Sequence, residues 1–454
     1  MTYDLVVTGP AVLPDGLVQD SWIAVSGGRI AAIGTGTAPD AARSHPVADG
    51  IIIPGVVDGQ THACSAAGLP GLRSTTRSAI AGGVTTIVDM PYDHPHPLSN
   101  TARLDAKIAA IREHAHADVA LYGTVLPGQA TADIAPLIEG GIAAFKISTY
   151  ESSPTRFPRI LADQMFAIFS ALAGTDIPLG VHNEDQEIVH ALVAKAKAEG
   201  RNGLAAHSES RPPAAELAAT AQFLELGAAL GAHAHIVHLT TPRGYQLVDH
   251  YAADGFRATA ELCVHHLWFD PGTDGAALGA RMKVNPPIRP GQVEPLWREL
   301  LSGRVAFVSS DHSSWPIDNK LTPSIFDAGA GVPGLETLLP AFYTGAERRG
   351  LDAAVLTVRH LCERPAKFFG LWPRKGAIKP GADADLTILS SRPQVWNSAQ
   401  AHDDLRWSPF DGREFSVTVA RTYLRGALAW DGRDVVAAPG CGQYVPRGKT
   451  RWFN

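Results

Sequence analysis

Eight short apolar runs alternate with longer helix-patterned stretches through the middle of this chain, and most of them lead directly into histidine, lysine or aspartate. The runs cover residues 51–53, 85–89, 119–125, 142–147, 178–181, 235–239, 256–263 and 304–308. Alternation of strand and helix predicts a parallel sheet covered by helices. Eight such units predict an α/β fold with a (β/α)8 barrel over residues 54–370. An open, doubly wound sheet is the competing arrangement, and the count of eight favours the barrel. Between runs, Leu104, Ile108 and Ile111 recur at the spacing of one helix face. Gly82-Gly83 marks a helix end, because glycine takes the left-handed conformation that closes helices. Residues 1–53 and 371–454 carry only short strand-like runs, such as 5–7, 23–25, 30–33, 386–389, 417–419 and 422–424. Neither end has enough strands to bury a sheet face, so the two are expected to join in one small β domain.

Composition excludes several function classes. The 454 residues are 45% hydrophobic and 19% charged, which suits a globular chain. A formal net charge of −6 argues against a nucleic-acid or anionic-membrane binder, which needs a basic surface. No apolar run reaches the length of a membrane span. The opening Met-Thr-Tyr-Asp-Leu-Val-Val has no basic region ahead of an apolar stretch, so no signal peptide is expected. Cys64, Cys263, Cys362 and Cys441 are scattered without Cys-x-x-Cys spacing, which fits neither a disulfide scaffold nor a zinc ribbon and predicts a cytoplasmic location.

Chemistry in a parallel barrel gathers where strands end. Here the ends read Asp58-Gly59-Gln60-Thr61-His62, Asp89-Met90-Pro91-Tyr92-Asp93-His94, Phe145-Lys146-Ile147, His182-Asn183-Glu184-Asp185, His238-Leu239-Thr240, Cys263-Val264-His265-His266 and Ser310-Asp311-His312. One such histidine alone is usually a hydrogen-bonded structural residue. Several converging on one mouth make a metal site. Lys146 is the unusual member, because an ammonium in an apolar strand is costly to bury unless paired or modified. A neutral lysine reacts with CO2 to give a carbamate, an anionic ligand that can bridge two cations.

These motifs, in this order, resemble the cyclic amidohydrolase branch of the amidohydrolase superfamily: allantoinases, hydantoinases, dihydropyrimidinases and dihydroorotases. The resemblance spans nearly the whole chain. Ile53-Pro54-Gly55-Val56-Val57-Asp58 is similar to the branch's opening strand, Phe145-Lys146 to its modified-lysine strand, and Asn285-Pro286-Pro287-Ile288-Arg289 to a substrate-side loop. The tail Lys379-Pro380-Gly381-Ala382-Asp383-Ala384-Asp385-Leu386 is similar to its β-sandwich. The resemblance therefore implies a barrel with a small β-sandwich built from both chain ends. It implies hydrolysis of a cyclic amide, imide or ureide by metal-bound hydroxide, with Asp311 as general acid and base. His62, Lys146 and Asp311 would hold one metal, and carbamylated Lys146, His182 and His238 the second, two Zn2+ per chain. The branch has His-x-His in its first motif, and this chain has Gln60 as the first member. A glutamine carbonyl is a weaker zinc ligand than imidazole, so that site is expected to be weak or empty. His94 and His96 are conceivable replacements, but their proline-rich setting favours an exposed loop.

Tyr150 is the candidate for hydrogen bonding the reacting carbonyl. It falls at lysine plus four, one position earlier than in hydantoinases, and a packed tyrosine is the alternative. His265 and Asn285 are candidates for substrate contact. Dihydroorotases carry an arginine two residues after the second histidine, where this chain has Cys64, so a dihydroorotase-like substrate is disfavoured. The ring stays open among allantoin-like, hydantoin-like and dihydropyrimidine-like compounds. Arg156, within a segment (149–158) matching neither subfamily, faces either an anionic substrate or solvent. Relatives act as homodimers or homotetramers. The other reading is a catalytically inert dihydropyrimidinase-related scaffold, and Gln60 is the feature that would support it.

Overall fold

The computed structural model describes residues 2–453. Its central body is a ring of eight parallel strands. Six are Val56–His62, Val84–Asp89, Asp118–Gly123, Ala144–Ser148, Leu179–His182 and Ala234–Ile236. The last two are each broken into short pieces, Ala258–Ala260 with Leu262–Cys263 and Val308–Ser309 with His312–Ser313. The ring closes because Cys263 pairs with Ser309 and Ser313 pairs with His62. Val84–Asp89 and Asp118–Gly123 are buried along their whole length, filled from inside and covered by helices outside. That double burial is why these strands read as continuous apolar runs.

The helical signals resolve as local chemistry predicts. Thr101–His114 is a helix whose Asn100 side chain accepts a hydrogen bond from the Arg103 N–H at 3.0 Å, capping its first turn. Leu104 and Ile111 face inward. Leu72–Ala81 ends at Gly82, and Gly83 takes φ 79°. A side chain at Gly83 would also collide with Thr387 Cγ2 at 2.7 Å, so glycine serves both the turn and the close approach of the second sheet.

That second sheet takes strands from both chain ends, in the order Ala427–Trp430, Thr418–Leu424, Leu386–Ser390, Ile51–Pro54, Leu5–Leu13, Gly16–Ser26, Arg29–Thr35. It has its own apolar core, with Val7, Ile23, Ile52, Leu386 and Ile388 buried together. Two readings of the runs change. Residues 51–53, taken from sequence as the first barrel run, form Ile51–Pro54 and pair with Leu386–Ser390. The barrel strand begins only at Val56, after Gly55 packs its bare Cα against Thr85. Runs 417–419 and 422–424 fall within or beside a single strand, Thr418–Leu424. At the joint between the two bodies, buried Lys375 contacts Asp118 at 2.5 Å on a barrel strand, and Asp385 at 2.7 Å and Asp383 at 2.9 Å beside the small sheet. The carboxylates hold its charge in place, where burial alone would expel it. Among the described residues no helix is long and apolar enough to cross a membrane.

Candidate metal centre

The strand ends open on one cavity of about 390 Å³, lined by Gln60, His62, Lys146, Tyr150, His182, His238, Asn285 and Asp311 among others. The first strand supplies Gln60 and His62 on the same face, because strand side chains alternate with period two. Asp58, two residues earlier, is buried and accepts from the Ser310 N–H at 2.7 Å, the Ser310 hydroxyl at 2.6 Å and the Thr61 hydroxyl at 2.5 Å. It thereby ties the Ser310-Asp311 turn to the first strand. Burial raises the Asp58 carboxyl to about 6 despite these donors.

His182 and His238 come from adjacent strands, and their rings meet with Nδ1 of His182 3.1 Å from Nε2 of His238. The other nitrogen of His182 lies 2.7 Å from Glu184 Oε2. Glu184 is itself paired with Arg211. Burial opposes ionisation of Glu184, but the charge of Arg211 and the His182 contact outweigh it and hold the carboxyl at about 2. A firmly anionic acceptor fixes the His182 proton on Nε2 and leaves the Nδ1 lone pair facing the cavity, the arrangement that orients metal-binding imidazoles. Burial lowers the pKa of both rings, so both are neutral, as ligands must be.

Lys146 is 1% exposed and, among the described residues, has no carboxylate within ion-pair distance. Burial brings its ammonium down to about 8. Glu261 and Asp311 act on Lys146 from beyond ion-pair distance and favour its charge, but burial outweighs them. A buried amine whose charged form burial disfavours, beside the nitrogens of two neutral imidazoles, is a donor set that fits a divalent cation and a carbamate.

On the opposite side, Gln60 Nε2–H donates to Asp311 Oδ1 at 2.9 Å, and His62 Nε2 lies 3.5 Å from the same oxygen. Burial would raise the Asp311 carboxyl, but the hydrogen bond and charge of His62 hold it below its ordinary value. Gln60 Oε1 is buried without a partner, a cost that a cation or substrate N–H would offset. His238 and Asp311 have φ of 39° and 47°, left-handed conformations costing about 1–3 kcal/mol for residues other than glycine. Strain of this kind gathers where side-chain direction matters more than stability.

The other sequence candidates divide. Tyr150 lines the cavity, with the Arg211 guanidinium 4.5 Å from its ring centroid. Asn285 lines it too, and its Oδ1 is buried without a partner. His265 does not line it. It is buried on the short helical turn Val264–Leu267 with Cys263 and His266, ligand atoms within 4.8 Å of one another. His94 and His96 are exposed and line a separate cavity. Three contributors escaped the sequence reading. Glu184 stood in a quoted motif without a role, Asp58 marked only a strand end, and Arg211 lies between helices with no pattern to flag it.

Comparison with known proteins adds an independent finding. The profile of the amidohydrolase family matches residues 51–429. The chain is similar to an allantoinase of Rubrobacter xylanophilus, 34% identical over 452 residues, which are 98% of this chain and 97% of that one. It is similar to a dihydroorotase of Halobacterium salinarum, 35% identical over 440 residues, 95% of this chain and 97% of that one. Among solved structures, an L-hydantoinase (dihydropyrimidinase) from Arthrobacter aurescens matches with a TM-score of 0.93 at 30% identity, covering 98% of this chain and 100% of that one.

Proposed function

The chain belongs to the amidohydrolase family, and from that premise we propose that it hydrolyses a cyclic amide, imide or ureide, with Lys146, His182 and His238 holding its principal divalent cation. The observation that carries the reading is the fully buried Lys146, unpaired, beside the facing nitrogens of His182 and His238. A bound divalent cation such as Zn2+ supplies the charge that lowers the pKa of water and polarises a ring carbonyl. Lys146 contributes by forming an N–C bond to CO2 and releasing a proton, which turns an unfavourable buried amine into an anionic ligand. Glu184 and Arg211 hold His182 in register. Asp311, kept ionised by His62, accepts a proton from the attacking water and returns it to the leaving ring nitrogen. The unpartnered Asn285 Oδ1 is suited to accept a ring N–H, and Tyr150 to donate to a ring carbonyl. The scaffold alternative has no supporting observation, since Gln60 is the one departure in an otherwise complete set.

The test is a hydrolysis screen over hydantoins, dihydropyrimidines, allantoin and cyclic imides, using full-length protein purified without chelator. Ring opening that is lost on chelation and regained with Zn2+ is expected. Metal-replete protein that opens none of these rings would refute the reading.

Gln60 leaves the second cation position with one imidazole. About one cation per chain is expected in the wild type, rising toward about two in Gln60→His, because imidazole binds zinc more strongly than a neutral amide oxygen. Elemental analysis after dialysis measures this. Unchanged stoichiometry and affinity would mean that position 60 is no ligand position.

A further inference from the structure

Arg156 lies on the loop that follows the Lys146 strand, and its neighbour Phe157 anchors that loop at the site. The Phe157 ring packs against Tyr92 at 3.8 Å and His182 at 5.7 Å between centroids. Arg156 Nη1–H donates to the Ser65 carbonyl at 2.6 Å, just beyond His62 on the first strand's loop. Its guanidinium carbon is 5.5 Å from the Trp315 ring centroid. The side chain therefore bridges two strand-end loops across the mouth and is held from both sides.

Its charge is unanswered. Among the described residues no carboxylate pairs with Arg156, and its other guanidinium donors have no protein acceptor. The other arginine of the cavity, Arg211, is committed to Glu184. Lys283, also in the lining, donates only to the carbonyls of Ile325 and Ala328. The lining holds two carboxylates: Asp311 at the base and Glu151, exposed at the rim. The free guanidinium donors of Arg156 open on the cavity, where a carboxylate can accept two of them side by side.

A second observation shows where that anion would extend. Arg156 also lines an adjoining cavity of about 630 Å³ with His94, His96 and Arg103, and no carboxylate lines it. In a chain of net charge −6, one side of the mouth is thus wholly basic or neutral.

We propose that the substrate is a cyclic amide or ureide bearing a carboxylate on an exocyclic arm, and that Arg156 is the specificity-determining residue that pairs with this carboxylate while the ring lies at Lys146, His182 and His238. The proposal rests on the ring-opening reading above. Asn285 and Tyr150 fix the ring, and the arm lies toward the basic cavity. Bidentate pairing of guanidinium with carboxylate supplies direction as well as charge, which a lysine does not reproduce.

The test compares hydantoin-5-acetic and hydantoin-5-propionic acids with their carboxamides, and with dihydroorotate, whose carboxylate is on the ring itself. In the metal-loaded wild type, kcat/KM for an arm-borne acid is expected to exceed that for its amide by about 100-fold, the range of a charged hydrogen-bonded contact. In Arg156→Met this ratio should fall below about fivefold, and in Arg156→Lys to an intermediate value, with most of the change in KM. An unchanged ratio in Arg156→Met, or a wild type that prefers dihydroorotate or the amides, overturns the proposal while leaving ring opening intact. If no ring is opened, the ring-opening reading fails, and calorimetric titration of acid against amide decides separately. Acid-selective binding abolished in Arg156→Met supports the anion site, and equal binding overturns it.

Discussion

Lys146→Ala is expected to lower kcat/KM by on the order of 10³-fold or more and to reduce bound metal in parallel. The side chain is 1% exposed and lines the same cavity as His182, His238 and Asp311, close enough for its charge to act on all three. Alanine removes the amine that can become an anionic bridge. It leaves a void open to the cavity, and a small carboxylate such as acetate or propionate has the size and charge to fill it. Partial recovery of both activity and metal content with such acids is therefore expected, saturating with acid concentration. Recovery separates a ligand role from a packing role, because a neutral amide of the same size fills the void without supplying charge. Full activity in the variant without added acid sinks the bridging assignment.

Asp311→Asn should lower kcat by about 10³-fold, within the range for loss of a general acid and base, with KM changed by no more than about threefold. Asparagine is the informative replacement. It tolerates the left-handed backbone at φ 47° at least as well as aspartate. Its carbonyl oxygen still accepts from Gln60 Nε2–H, so the fold and the Gln60 contact are retained while the proton acceptor is lost. A kcat within tenfold of the wild type would reassign Asp311 to a structural role tied to Asp58 and Ser310.

The barrel, and the candidates that line its mouth, could be read from sequence for a local reason. A parallel strand buried on both faces leaves an apolar run, and its C-terminal residue necessarily faces the mouth. His62 and His182 end their strands, Lys146 sits inside one, and His238 and Asp311 follow shortly after theirs, so all five were flagged as candidates by their place at or near a strand end. The same reasoning counted residues 51–53 among the barrel runs although the boundary at 53 assigned them to the small β domain, because an apolar run carries no mark of which sheet it joins; pairing with residues 386–389 is a contact across more than three hundred positions. It also named His265, which the helical turn Val264–Leu267 leaves outside the cavity lining.

The sequence by itself thus determined which chemical groups are available and at which end of the barrel they stand, because periodicity and strand ends are properties of neighbouring residues. Only the tertiary structure decided how those groups are occupied. Glu184 with Arg211 selects the inward nitrogen of His182, Gln60 turns its N–H to Asp311, and Arg156 keeps its charge free while Arg211 does not. Each of these depends on closure of the eight-stranded ring, which sets directional contacts between residues that are distant in the chain and share no pattern.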